Sequence, residues 1–133
     1  MIRYTSASFA RKQKGKATQD KTVEVLKAKI PAIIGNILSA KMGAHGEDII
    51  IAPQMREQFP FSIECKQDEK GFSRVYKAMT QARLQVDALA GEVNIQPVAV
   101  IQQKDARPLA IMDLEAWSEL VLSAAENKGR KEP

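Results

Sequence analysis

Cysteine, histidine and aromatic residues are scarce in this chain of 133 residues. The single cysteine, Cys65, excludes an internal disulfide and any cysteine-rich zinc site, and it favours a reducing, cytoplasmic compartment. The single histidine, His45, leaves little from which to build a histidine zinc site or a histidine-activated nucleophile. Aromatic residues make up 5% of the chain, which argues against binding single-stranded nucleic acid by stacking bases on aromatic rings.

Long apolar runs are missing as well. No run approaches the roughly 20 residues that a membrane-spanning helix needs, and the stretch 1–5 lacks the apolar core of a signal peptide. The chain is 44% hydrophobic and 27% charged, which is typical of a folded globular protein. We therefore expect no membrane association, and a single domain over 14–126 between a flexible basic arm at 1–13 and a frayed tail at 127–133.

Positive charge is concentrated near the N-terminus. The whole chain carries a formal net charge of +4, but residues 1–29 hold eight Lys and Arg against two Asp and Glu, so the remainder is slightly acidic. A basic segment on a near-neutral body is typical of proteins that bind a polyanion such as nucleic acid. A solvated tail that only increases solubility has the same composition, and charge alone does not separate the two readings.

The spacing of apolar residues predicts a mixed α/β fold. Helical periodicity and end signals predict three helices, and short alternating or β-branched runs predict four strands. The order α-β-β-α-β-β-α predicts a mixed β-sheet flanked by helices. The predicted helices lie at 16–30, 72–89 and 114–124, and the predicted strands at 48–52, 61–66, 97–101 and 109–112.

Two of the predicted strands carry a group of residues suited to metal chemistry. Asp48 opens one strand, and Glu64 and Lys66, two residues apart in the next, project from the same face. If the strands pair, the two carboxylates and the carbonyl of Cys65 form an oxygen-rich site suited to Mg²⁺. Lys66 could then position a water molecule or balance charge during phosphoryl transfer. The alternative is an edge strand whose Glu and Lys only keep it soluble.

The same residues resemble the PD-(D/E)xK nuclease superfamily, with Asp48 as the first acid and Glu64-Cys65-Lys66 as the E-x-K element. Lys14-Gly15 is similar to the basic-glycine start of archaeal Holliday-junction resolvases, and 42–49 and 59–66 are similar to small phage-encoded endonucleases. The resemblance implies a restriction-endonuclease-like core. It also implies a DNA endonuclease that acts in recombination and depends on Mg²⁺, with Mn²⁺ able to replace that ion. It also implies residence in the host cytoplasm if the chain is phage-encoded.

The chain departs from the family pattern at two positions. Glu47 stands where the motif has a proline before the first acid. Resolvases of this type also carry a metal-binding glutamate in the first helix, and its place is taken here by Gln19, with Asp20 next. The resemblance therefore implies that Gln19 or Asp20 supplies a further ligand.

The expected partner is DNA, and we expect the protein to recognise its branched structure rather than its base sequence. Symmetric cutting of two strands requires two active sites, so the resemblance also implies a homodimer. A same-fold nuclease acting on duplex or flap DNA and a non-catalytic DNA-binding module remain as alternatives. The residues expected to contact DNA, each of which could equally be ordinary surface polarity, are Arg11, Lys12, Lys14, Lys16, Lys41, His45, Arg74, Lys77 and Gln81.

Overall fold

The computed structural model describes residues 6–43, 46–89, 91 and 94–129, with side chains of the first helix described from Gly15 onward. Contacts group these residues into two compact units. The first comprises the described residues up to Gln67 and from Ser118 onward, and the second is Asp68–Trp117. The predicted single nuclease domain over 14–126 stays a prediction, because a grouping by contacts does not test it.

The first unit is built around a long helix and a short hairpin. The hairpin strands β1 and β2 pair antiparallel, with Ile37 opposite Ile51 and Ser39 opposite Ile49. In the connection between them, Gly46 has a φ of 102°, which a residue with a side chain rarely adopts. The elements are α1 (Ser6–Lys29), a 3-10 helix (Pro31–Ile33), β1 (Ile37–Ser39), β2 (Ile49–Ile51), a second 3-10 helix (Pro53–Met55) and the larger part of α3 (Leu114–Gly129).

The core of the first unit is aliphatic with one aromatic side chain. Leu26 of α1, Ile33, Ile49 and Phe59 are each at most 1% exposed. The Phe59 ring packs edge-on against Phe61, with centroids 5.1 Å apart. This core therefore joins α1, the hairpin and the segment that follows it.

The second unit contains α2 (Ser73–Ala88), β3 (Ala99–Ile101), β4 (Leu109–Ile111) and the first turn of α3. The strands pair antiparallel, with Val100 opposite Ala110. Asp105 has a φ of 62° in the turn between them, a conformation that aspartate tolerates better than most residues. The strands predicted at 97–101 and 109–112 are confirmed, each over three residues.

The mixed α/β class is confirmed over the described residues, with three helices, but the strands differ from the predicted ones. The described strands form two separate two-stranded antiparallel sheets instead of one central mixed sheet. The first strand of the first pair is 37–39, and the segment 61–66 makes no ladder. Periodicity over so few residues cannot separate a short strand from a helical turn, which is why the strand at 37–39 was missed.

The outer two helices are longer than predicted. The helix α1 begins at Ser6, within the stretch expected to be a flexible arm, and α3 continues to Gly129, within the expected tail. Ala, Arg, Lys and Gln dominate the added part of α1, and these residues favour helix without forming an apolar stripe. Within the described residues, no helix combines the length and apolar character needed to cross a membrane.

Candidate functional site

Asp48 lies directly before β2 and is half-buried. Its carbonyl oxygen accepts a hydrogen bond from the Ala40 N–H at 2.9 Å, which extends the β1–β2 ladder by one pair. Its Oδ2 atom accepts a hydrogen bond from the Cys65 N–H at 2.7 Å. A carboxylate oxygen therefore takes the place of a ladder carbonyl and ties the following segment to the start of β2.

The segment 61–66 keeps the predicted alternation without being a strand. Phe61, Ile63 and Cys65 are half-buried, whereas Ser62, Glu64 and Lys66 are exposed, so the predicted division of faces is confirmed. The Lys66 Nζ atom lies 3.7 Å from Glu64 Oε1, with the two side chains 75% and 66% exposed. An ion pair this exposed adds little stability, and both groups remain accessible to a ligand.

The pKa of the Cys65 thiol is raised by its surroundings. Burial is the main cause that raises the pKa of Cys65; the Thr22 hydroxyl, 3.8 Å from the sulfur, lowers it. The carboxylates of Asp48 and Glu64 raise the pKa further. Negative charge on these two acids disfavours the thiolate, which is itself negatively charged. A thiol with a raised pKa is also a poor nucleophile, consistent with Cys65 being a packing residue.

The side chain of Gln19, on α1, reaches the main chain of Asp48. Its Nε2 atom donates to the Asp48 carbonyl at 2.7 Å and lies 3.3 Å from the Ala40 carbonyl. Because both partners are carbonyl oxygens, the amide must present its nitrogen to them. The structure thus brings Gln19 to the candidate site through a main-chain contact.

Lys16, one helical turn before Gln19, and Asp20, directly after it, form a second group of contacts. The Lys16 ammonium donates to Ser39 Oγ at 2.7 Å and to the Ala40 carbonyl at 3.1 Å, and it lies 3.1 Å from Asp20 Oδ1. Hydrogen bonds from Ser39 and then from Lys16 lower the pKa of Asp20. Lys16, expected on the DNA, and Asp20, a candidate ligand, are therefore engaged with each other and with the end of β1.

Arg56 is a residue that the sequence reasoning missed. Its Nη1 atom donates to the Phe61 carbonyl and its Nη2 atom to Glu47 Oε1, both at 2.6 Å. Arg56 thereby joins the residue before Asp48 to the first residue of 61–66. The one signal in the sequence was Glu47 in the place of a proline, and nothing in the spacing identified its partner.

The donor set suits a hard cation in its chemistry. Asp48 and Glu64 supply carboxylate oxygens, and Oδ1 of Asp48 takes no part in the bond to Cys65. Over the described ranges, no cluster of three or more His, Cys, Asp or Glu side chains is suited to hold a metal ion. Asp48 and Glu64 are the two acidic side chains at the centre of the predicted site. The further ligands, which are the Cys65 carbonyl and a residue of the first helix, stay predictions.

The residues expected to contact DNA are spread over both units. Lys41 is exposed in the first unit, and Arg74, Lys77 and Gln81 are exposed on α2, away from the buried Met79. Other apolar side chains of α2 are largely exposed, among them Tyr76 at 67% and Leu84 at 62%. His45 and the side chains of Arg11, Lys12 and Lys14 lie outside the described residues.

Comparison of the chain with protein-family models, with curated proteins and with solved structures finds no match.

Proposed function

We propose that this protein is a Mg²⁺-dependent DNA endonuclease in which Asp48, Glu64 and Lys66 carry the hydrolysis. The observation that carries the proposal is the 2.7 Å hydrogen bond from the Cys65 N–H to Asp48 Oδ2. It holds one acid against the residue that separates the other acid from the lysine. Two acids and an amine that converge on one divalent ion are suited to phosphodiester hydrolysis, and this bond places Asp48 beside the segment that carries the other two.

Each residue has a distinct role in this proposal. The carboxylates of Asp48 and Glu64, with the Cys65 carbonyl, would hold Mg²⁺, which when bound stabilises negative charge on the scissile phosphate. The Lys66 ammonium is exposed and lies next to Glu64, so it is available to orient the attacking water or to offset charge as the phosphate is attacked. By the family resemblance, the products carry a 5′-phosphate and a 3′-hydroxyl.

The substrate in this proposal is branched DNA cut by a homodimer with a restriction-endonuclease-like core. The resemblance to resolvases supports that reading, and the basic residues of α1 supply attraction for phosphates without base readout. Exposed Arg74, Lys77 and Gln81 add further groups that can contact the DNA backbone. The affinity for DNA should accordingly fall steeply as the salt concentration rises.

Cleavage of four-way junction, flap and linear duplex DNA tests the proposal. In Mg²⁺ or Mn²⁺, we expect the wild type to cut the junction preferentially and Glu64→Ala to lose cleavage while it still binds the junction. Glu126→Ala is the matched control, because Glu126 belongs to an acid-x-Lys triplet on the exposed surface of α3 and should leave cleavage unchanged. Preferential cutting of flap or duplex would favour a same-fold nuclease of different specificity. A wild type that binds DNA but cuts none of the three would contradict the enzyme and favour a binding module.

A further inference from the structure

We propose that Gln19 is a positioning residue for Asp48 and not itself a metal ligand, an inference that rests on the proposed function. The family resemblance implies the opposite, because its first-helix acid binds the metal directly. The contacts of this chain assign another role: the amide nitrogen of Gln19 donates to the Asp48 carbonyl at 2.7 Å.

Two hydrogen-bond donors converge on the Asp48 carbonyl from different elements. The Ala40 N–H reaches it at 2.9 Å from the end of β1, and the Gln19 amide reaches it at 2.7 Å from α1. A carbonyl oxygen has two lone pairs, so this atom is fully used. The peptide group of Asp48 is thus held from two directions.

A peptide group held in this way limits the positions that the carboxylate can reach. The Asp48 side chain leaves the same residue and meets the Cys65 N–H at 2.7 Å through Oδ2. Movement of the Asp48 main chain would therefore move the carboxylate away from the Cys65 N–H. Metal sites and their reactions are sensitive to displacements of about 1 Å, so the Gln19 contact bears directly on the chemistry.

A glutamate at position 19 cannot replace this contact. Its carboxylate accepts hydrogen bonds only, and it would face the carbonyl oxygens of Asp48 and Ala40 at short range. The positioning role thus predicts that Gln19→Glu harms the site. A ligand role predicts that it improves the site, because a carboxylate binds Mg²⁺ and Mn²⁺ better than an amide oxygen does.

The neighbouring contacts allow the variants to fold. Lys16 donates to Ser39 Oγ at 2.7 Å and to the Ala40 carbonyl at 3.1 Å, so α1 stays attached to the end of β1 without Gln19. Gln19→Met keeps the length of the side chain and removes both its donor and its acceptor. Gln54→Glu is the matched control, because the Gln54 amide donates at 2.9 Å to a side-chain oxygen, that of Asn36, on the exposed surface.

The first measurement is Mn²⁺ binding by the full chain without DNA, detected by electron paramagnetic resonance. Loss of a group that orients a ligand typically weakens metal binding 10- to 100-fold, and we expect a loss of about that size in both Gln19→Glu and Gln19→Met. Gln54→Glu should bind as the wild type does, and all variants should keep its thermal midpoint within a few degrees. Tighter or unchanged binding by Gln19→Glu would overturn the positioning role.

The second measurement is hydrogen exchange at the Cys65 amide, which needs neither metal nor activity. If Gln19 positions Asp48, the Cys65 N–H loses its acceptor and exchanges at least several-fold faster in both Gln19 variants, but not in Gln54→Glu. Unchanged exchange would overturn the inference even if the wild type cleaves DNA. Faster exchange in a protein that cleaves nothing would support the positioning role while the proposed function fails.

Discussion

The carboxylate of Glu47 lies 2.6 Å from the guanidinium of Arg56, at the position where the nuclease motif has a proline. A proline restricts the backbone before the first acid, whereas here an ion pair ties that residue to another part of the chain. The same guanidinium holds the Phe61 carbonyl, so the pair fastens together the two segments that carry Asp48 and Glu64.

The Glu47–Arg56 pair should make stability depend on pH in the acid range. Hydrogen bonding to Arg56, and then to Ser62, lowers the pKa of Glu47 below its ordinary value of 4.5. Its contribution is therefore fully present above that value and is lost as the pH falls through the lower pKa of the folded state. Urea unfolding measures this: between about pH 7 and about pH 3, the free energy of unfolding should fall less in Glu47→Gln than in the wild type. Glu57→Gln, on the exposed surface nearby, is the control; equal slopes for all three proteins would contradict the pairing.

Arg56→Lys should damage the site although it keeps the charge. A lysine ammonium cannot hold the Glu47 carboxylate and the Phe61 carbonyl in the fork geometry of a guanidinium. We expect the free energy of unfolding to fall by about 1 kcal/mol. We also expect the rate of DNA cleavage to fall, because the segments that carry Asp48 and Glu64 are no longer held together. Unfolding curves and cleavage rates measured on the same preparation test this. A fall in stability with no change in the cleavage rate would mean that Arg56 has no part in arranging the acids.

The pH dependence of Cys65 alkylation should change when a neighbouring side chain is replaced. Because burial, Asp48 and Glu64 raise the pKa of Cys65 above its ordinary value of 9.0, its alkylation by iodoacetamide should accelerate at a higher pH than that of a free thiol. Glu64→Gln should shift the alkylation profile to lower pH, because it removes one nearby negative charge. Thr22→Val should shift the profile to higher pH, because the Thr22 hydroxyl lowers the pKa. Identical profiles for all three proteins would place the carboxylates far from the sulfur.

Adjacent isoleucines of β2 should differ in their effect on stability. Ile49 is fully buried, and Ile49→Ala should cost about 2–5 kcal/mol of the free energy of unfolding. Ile50 is 48% exposed opposite Leu38, and Ile50→Ala should cost under about 1 kcal/mol. Urea unfolding of the two variants tests the register of the hairpin. The reverse order of costs would mean that β2 is shifted by one residue, which exchanges its two faces.

Exposed cations on α2 should contribute to DNA binding through phosphates. Lys77→Gln should weaken binding by a similar factor for every DNA shape and should lower the slope of log affinity against log salt by about 1. Lys104→Gln, in the turn between β3 and β4, is the control of equal charge change. Fluorescence anisotropy with labelled junction and duplex over a salt series measures both quantities. An unchanged slope for Lys77→Gln would remove α2 from the proposed DNA surface.

Local pattern in the sequence determined the class of elements and the faces of the key segment. Apolar spacing is a property of neighbouring residues, so it predicted the mixed α/β class, the three helices, three of the described strands and the alternation of 61–66. It also singled out Asp48, Glu64 and Lys66, because this acid-x-Lys triplet lies in an alternating run that follows a strand opened by an acid.

Contacts between residues far apart in the chain were decided only by the tertiary structure. The bond from Cys65 to Asp48, the amide of Gln19 on the Asp48 carbonyl and the reach of Arg56 from Glu47 to Phe61 all depend on how separate segments meet in space. The periodicity of residue types along the chain carries no information about such long-range contacts. The segment 61–66 was expected in a ladder for the same reason: alternation shows which face is buried, but the acceptor of each N–H is known only once the chain is folded.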